Sequence, residues 1–372
     1  MARNIEEDIG QTIIAGFQGL SLDPVIARQV RSGRLGGVIL FRRNLGGLPE
    51  VRALNDEIHA LRPDEPPMIA LDQEGGRVQR LRAPFPELPP MRRLGETGRK
   101  SLAHLAGRVL GRGLRVLGFD QNYAPVLDVD SNPANPVIGD RAFSSDPHMV
   151  SRLGAAFVDG LQEEGVAACG KHFPGHGDTD LDSHLALPRI DHDLERLEAV
   201  EWPPFRAAAR ADVAAIMTAH VVFSALDPAV PATLSPKVLR PTLREEIRFD
   251  GVIVSDDLEM KSIRDHRDVP TAAVEALAAG CDQILICHHP EEVDRAFDAL
   301  VRAVEDGILD PSEIAESADR VRRLKRRFVR VDAAPDDLDA ALPHADYAEL
   351  LASLGEGEEI AGVDPTEYDL SS

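Results

Sequence analysis

A chain of 372 residues with 43% hydrophobic content can bury a substantial core, as two ordinary domains or one large α/β barrel. Its net charge of −22 argues against nucleic acid or an anionic membrane as a partner. Three cysteines, Cys169, Cys281 and Cys287, supply neither a disulfide framework nor a C-x-x-C metal pair.

The N-terminus, M-A-R-N-I-E-E-D-I-G, lacks the apolar stretch of a signal peptide. The longest apolar run, Val213–Leu226, includes His220 and is too short to span a bilayer. A soluble, cytoplasmic protein is the expectation. From there short β-rich runs alternate with helical patterns. Strands are predicted at Thr12–Phe17, Gly37–Phe41, Met68–Asp72, Asn122–Val129, Ala167–His172, Ala215–Val222, Gly251–Asp256 and Gln283–Cys287. Apolar spacing near 3.6 predicts helices at Val51–Ala60, Ser101–Leu117, Met149–Glu163, Leu194–Arg210, Thr271–Ala279 and Glu291–Val304. Continuous apolar strands such as V-I-V and I-L-I imply a sheet buried on both faces, hence parallel. Eight β-then-α units predict a (β/α)8 TIM barrel, assigned to residues 1–330. Asp72, Lys171, His172 and Asp256 stand at the predicted C-terminal strand ends, where such barrels carry chemistry.

After the last strand, Arg320–Arg330 is strongly basic, with Leu324 and Phe328 at helical spacing. It is read as a closing barrel helix whose charge the adjoining acidic tail could neutralise, rather than as a nucleic-acid site. The tail, residues 331–372, holds twelve acids and no Lys or Arg. Tyr347–Leu354 is expected to form a short docked helix and the remainder to be loosely ordered.

The segment K-H-F-P-G-H-G-D-T-D-L-D-S-H, Lys171–His184, concentrates three histidines and three alternate aspartates around Pro174, Gly175 and Gly177. It cannot be a regular helix. With so many ionisable groups it is expected to stay poorly buried and to act as an active-site loop. Asp178-x-Asp180-x-Asp182 starts like a calcium loop, but Ser183 replaces the required glycine and Arg189 the required glutamate. No metal site or cofactor is predicted. In Asp182-Ser183-His184 an extended backbone puts carboxylate and imidazole on one face. Asp182 can then orient His184 as a general acid/base near neutrality.

A second group capable of completing a reaction follows Gly251–Val254 in S-D-D-L-E-M. Asp256 is expected at the barrel mouth as a carboxylate nucleophile, and Asp257 as the cap of the next helix. A carboxylate nucleophile, a separate proton donor and hydroxyl-binding groups are what a retaining glycosidase needs. His176 is assigned loop-shaping hydrogen bonds, His220 a place lining or supporting the pocket. The bland alternative for Asp72 and Arg141 is a structural ion pair with each other.

Taken in order, Asp72–Arg80 (D-Q-E-G-G-R-V-Q-R), Asn135–Phe143 (N-P-V-I-G-D-R-A-F), Lys171–Pro188, Ile216–Val221 (I-M-T-A-H-V) and Ser255–Met260 resemble the family three glycoside hydrolases. More narrowly, the chain is similar to the bacterial β-N-acetylhexosaminidases of cytoplasmic peptidoglycan recycling, from roughly Ile9 to Phe328. The resemblance implies hydrolysis of a terminal β-linked N-acetylglucosamine with retention. It implies Asp256 as nucleophile, His184 assisted by Asp182 as acid/base, and Asp72, Arg80, Arg141, Lys171 and His172 as residues gripping the sugar. Three other readings stay open: a phosphorylase that resolves the glycosyl-enzyme with phosphate, a β-glucosidase or β-xylosidase, and a silent sugar-binding module. The sequence gives no oligomeric state.

Overall fold

The computed structural model describes residues 4–179, 187–355 and 364–366. Eight parallel strands close into a barrel. They are β1 (Ile13–Ala15), β2 (Gly37–Leu40), β3 (Met68–Leu71), β4 (Gln121–Asn122), β5 (Ala167–Phe173), β6 (Ala215–Thr218), β7 (Val252–Asp257) and β8 (Gln283–Ile286). Closure is made by β1, which pairs with β8 through Ile13–Ile284 and with β2 through Ile14–Gly37. The fold is the expected (β/α)8 TIM barrel.

Strand side chains alternate between two cores, as a period of two requires. Ile14, Ile39, Met68, Ala70, Cys169, Met217, Val252, Val254 and Leu285 fill the barrel interior. Their neighbours Ile13, Val38, Leu40, Ile69, Leu71, Ile253 and Ile284 pack outward against the helices. Being buried on both sides explains why these strands read as unbroken apolar runs.

Three of the helices start at Asp-Pro pairs. Asp23, Asp146 and Asp310 accept the backbone N–H of Val25, His148 and Ser312, with Pro in the first turn of each helix. The carboxylate satisfies an orphan donor, and proline forfeits one that had no partner.

Three expectations need correction here. The strand predicted over Asn122–Val129 is regular only at Gln121–Asn122, because Pro125 lacks the ladder donor; pairing resumes at Val126 with Lys171. Asp257 caps no helix: it ends β7 and accepts the N–H of Glu259 and Cys287, tying β7 to β8. The basic helix Pro311–Phe328 does close the barrel base, with Val321, Leu324 and Phe328 in the interior core. Its described charge partners, however, include Asp8, Glu65, Asp212 and Asp282 of the barrel body. Asp332 of the tail pairs instead with Arg115. Further along, helix His344–Leu354 buries Leu350, and Tyr347 donates to the carbonyl of Glu87 at 2.8 Å.

Lys325, on that closing helix, is buried at the barrel base, donating to Gln11 Oε1 at 2.9 Å and to the Gly36 carbonyl at 3.2 Å. Burial depresses its pKa to about 8 from an ordinary 10.5. Between those values the unfolded chain binds more protons than the folded one, so stability should rise with pH across that window. The expected gain is about 3 kcal/mol. Denaturant unfolding at pH 7.5 and 10.5 should show it in the native chain but not in Lys325→Met.

Candidate active site

A cavity opens at the C-terminal ends of the strands. Phe41 after β2, Asp72 after β3, Tyr123 after β4, Lys171 and His172 on β5, Met217 on β6, Asp256 on β7 and Cys287 after β8 all line it. Two of those strands are locally irregular. On β7 the register slips between Val254 and Asp257, so three residue steps face two on β8. On β5 the same happens between Gly170 and Phe173 opposite β6. Bulges re-aim side chains that strict alternation would direct elsewhere. The first adds Asp257 to the cavity lining beside Asp256, which alternation already places there in step with Val252 and Val254 and whose Oδ1 accepts the Asp257 N–H at 2.8 Å. The second carries Lys171 and His172, whose shared peptide is cis.

A chain of buried charges forms one wall. Lys171 Nζ lies 2.7 Å from Asp72 Oδ1 and 2.7 Å from Glu74 Oε1. Arg141 grips Glu74 with two bonds, Nε at 2.9 Å and Nη2 at 2.8 Å. Arg80 Nη2 completes the row, 3.4 Å from Asp72 Oδ2. Burial alone would raise the Glu74 pKa, but Arg141 and Lys171 outweigh it and hold the carboxyl well below its usual range. For Lys171, burial pulls down while Asp72 and Glu74 push further up, so the ammonium stays charged.

The opposite side is organised by Asp128. Its carboxylate lies 2.8 Å from His172 Nδ1 and accepts the backbone N–H of His172 at 3.2 Å and of His176 at 2.7 Å. Burial would raise the Asp128 pKa, yet the two imidazoles bring it below its ordinary value. His176 is driven down to about 4, chiefly by burial and then by His172. It is therefore neutral at pH 7, and its Nδ1 meets Thr179 Oγ1 at 2.8 Å. The expected loop-shaping role suits this geometry. Asn135 secures the same turn by donating to the His176 carbonyl at 2.9 Å. Lys171–Thr179 is consequently buried almost throughout, contrary to the expectation that its ionisable groups would keep it in water. Asp128 supplies the compensation that the loop sequence does not contain.

Of the predicted residues, Asp72, Arg80, Arg141, Lys171, His172 and Asp256 all line this one cavity. Asp182 and His184 lie outside the described residues. Arg141 pairs with Glu74, so the proposed Asp72–Arg141 ion pair is replaced by Asp72–Lys171 and Asp72–Arg80. His220 supports rather than lines the pocket, bonding Thr233 Oγ1 and the Asp257 carbonyl at 2.9 Å each. Sequence reasoning missed Glu74 and Asp128. Glu74 sits inside the D-Q-E-G-G-R motif, two residues after Asp72, and a search for charges able to neutralise Lys171 and Arg141 would have found it. Among the described residues no group of three or more His, Cys, Asp or Glu could hold a metal.

Comparison with known proteins agrees with this geometry. Residues 4–324 match the glycosyl hydrolase family 3 N terminal domain. A β-hexosaminidase of Thioalkalivibrio sulfidiphilus is 43% identical over 313 residues, covering 82% of this chain and 87% of that protein. One from Thiobacillus denitrificans is 40% identical over 351 residues, covering 92% and 93%. Among solved structures, a family 3 β-N-acetylglucosaminidase from Paenibacillus superposes with a TM-score of 0.87 at 40% identity, over 94% of this chain and 69% of that one. NagZ from Neisseria gonorrhoeae in complex with N-trifluoroacetyl-D-glucosamine gives 0.78 at 36% identity, over 92% and 97%. With a barrel built like theirs and the family match running through nearly all of it, the chain belongs to glycosyl hydrolase family 3.

Proposed function

We propose that this family 3 glycoside hydrolase, a β-N-acetylhexosaminidase, removes terminal β-linked N-acetylglucosamine from muropeptide-type sugars in the cytoplasm, with retention of configuration. The observation that carries the reading is the meeting, in one cavity at the barrel mouth, of Asp256 with the paired groups Asp72, Lys171, Arg141 and His172. The sugar identity follows from the β-hexosaminidase relatives and from the N-trifluoroacetyl-D-glucosamine bound by the Neisseria protein.

In this mechanism Asp256 attacks the anomeric carbon and forms a covalent glycosyl ester. His184, oriented by Asp182, gives its proton to the departing oxygen. It then takes a proton from the water that attacks the ester and frees the sugar. Both residues follow Thr179 closely in sequence, and five residues reach at most about 17 Å. Thr179 is itself buried beside His176 and Asn135, so the chain enters that segment from the site. An imidazole needs little tuning to donate and accept at neutral pH.

Purified protein should release N-acetylglucosamine from its aryl β-glycoside faster than glucose or xylose from theirs, and without phosphate. Sugar 1-phosphate appearing when phosphate is added would favour the phosphorylase reading instead. Asp256→Ala should abolish turnover. His184→Ala and Asp182→Ala should each lose roughly 10²–10⁴-fold, less with good leaving groups; near-native rates for both would remove the dyad from the mechanism. Glu74→Gln should weaken the fold by roughly 3–5 kcal/mol, because Arg141 and Lys171 keep buried charges without their shared carboxylate. Equilibrium unfolding in urea measures that loss.

A further inference from the structure

The wall formed by Arg80 has an occupant that the barrel does not supply. Arg80 Nη1 donates to Asp364 Oδ2, and Nη2 donates to Thr366 Oγ1 at 2.6 Å. Both partners belong to the acidic C-terminal extension, beyond the residues matched by the family. With them in place the Arg80 side chain is wholly shielded from solvent, and Thr366 becomes part of the cavity wall beside Asp72, Lys171, His172 and Asp256.

We propose that Asp364–Thr366 is a built-in competitor of the sugar, a strap that occupies Arg80 until substrate displaces it. The inference rests on the reading of Arg80 as a sugar-gripping residue.

Three observations support competition over passive packing. First, the segment takes the donors that a sugar hydroxyl would need: Nη1 goes to Asp364, while Nη2 is shared between Asp72 and Thr366. Second, the segment is shaped for this contact. Asp364 Oδ1 accepts both the N–H of Thr366 at 2.9 Å and its hydroxyl at 2.7 Å. That is the Asp-Pro turn that caps helices elsewhere in the chain, here leaving Oδ2 pointed at Arg80. Third, the charges match. Arg80, Lys171 and Arg141 are joined to two carboxylates, Asp72 and Glu74, among the residues of the barrel described. Asp364 contributes a third carboxylate, which a neutral sugar cannot. The contact can nevertheless be released: Arg80 keeps Asp72, and Asp364 is not needed by any described element of the barrel.

A strap of this kind reduces apparent affinity by the fraction of molecules in which the site is open, and leaves the bound complex unaltered. In the full-length chain, Asp364→Ala should therefore lower both KM for an aryl N-acetyl-β-glucosaminide and the calorimetric Kd for N-acetylglucosamine by about tenfold, with kcat unchanged. Thr366→Val, which keeps the ion pair, should shift both in the same direction by less. If the native chain binds and cleaves the sugar but Asp364→Ala shows equal or higher KM and Kd, the strap is overturned while the glycosidase reading stands. If the native chain and Asp364→Ala both fail to bind the sugar, the sugar reading falls and takes the competition with it.

Discussion

The pairing of Lys171 with both Asp72 and Glu74 is the constraint on which the site depends. A buried ammonium and a buried guanidinium are costly unless carboxylates meet them at hydrogen-bond distance, and removing one partner strands the others. Lys171 comes from β5, Asp72 and Glu74 follow β3, and Arg141 stands on a short turn between β4 and the next helix. Their contacts of 2.7–2.9 Å therefore fix three separate segments in one geometry. The barrel brings strand ends to a common rim. The charge network determines which side chains cross that rim and in what orientation.

The same logic explains the two bulges. A strict strand gives every second residue to the cavity, so Ser255 and Asp257 would share a side and Asp256 would take the other. The slip in β7 lets Asp257 bond across to the Cys287 N–H while Asp256 remains on the cavity wall. On β5, adjacent Lys171 and His172 both reach the cavity, which perfect alternation would forbid. Cavity-lining residues of β5 and β7 thus sit where the ladder is broken, and partners outside the ladder, Asp128 and Glu74 for β5, hold the irregular backbone and its side chains in place.

Sequence patterns reveal the barrel because its strands are buried on both faces and alternate with segments of helical apolar spacing, both local signals. They reveal Asp72, Lys171, His172 and Asp256 because these residues close predicted strands, and Arg80 and Arg141 because they fall in motifs resembling a known family. The supporting carboxylates are not legible in the same way. Glu74 and Asp128 earn their roles from residues 67 and 44 positions away, and nothing in local periodicity marks such a partner. The loop's burial was misjudged for that reason: the compensating carboxylate lies in V-L-D-V-D, before the loop begins. The base of the barrel taught the converse. The nearest acidic stretch in sequence was expected to neutralise the closing helix, whereas Asp8 and Glu65, distant along the chain, are among its neighbours.

The arrangement also bears on why a neutral polyol, rather than an anion, fits the proposed function. Lys171 and Arg141 can only donate, whereas the ionised Asp72 can only accept. His172 is directed by Asp128, whose carboxylate lies 2.8 Å from Nδ1 and fixes the orientation of the ring. Donors and an acceptor carboxylate consequently stand side by side on the cavity wall. A hydroxyl group, which donates and accepts at once, can bond to both kinds together; a phosphate or carboxylate could accept from the cations but would bring like charge beside the Asp72 carboxylate, which Lys171 and Arg80 already hold. Under the proposed function, selection for hydroxyls follows from the partners of these cavity residues as much as from the residues themselves.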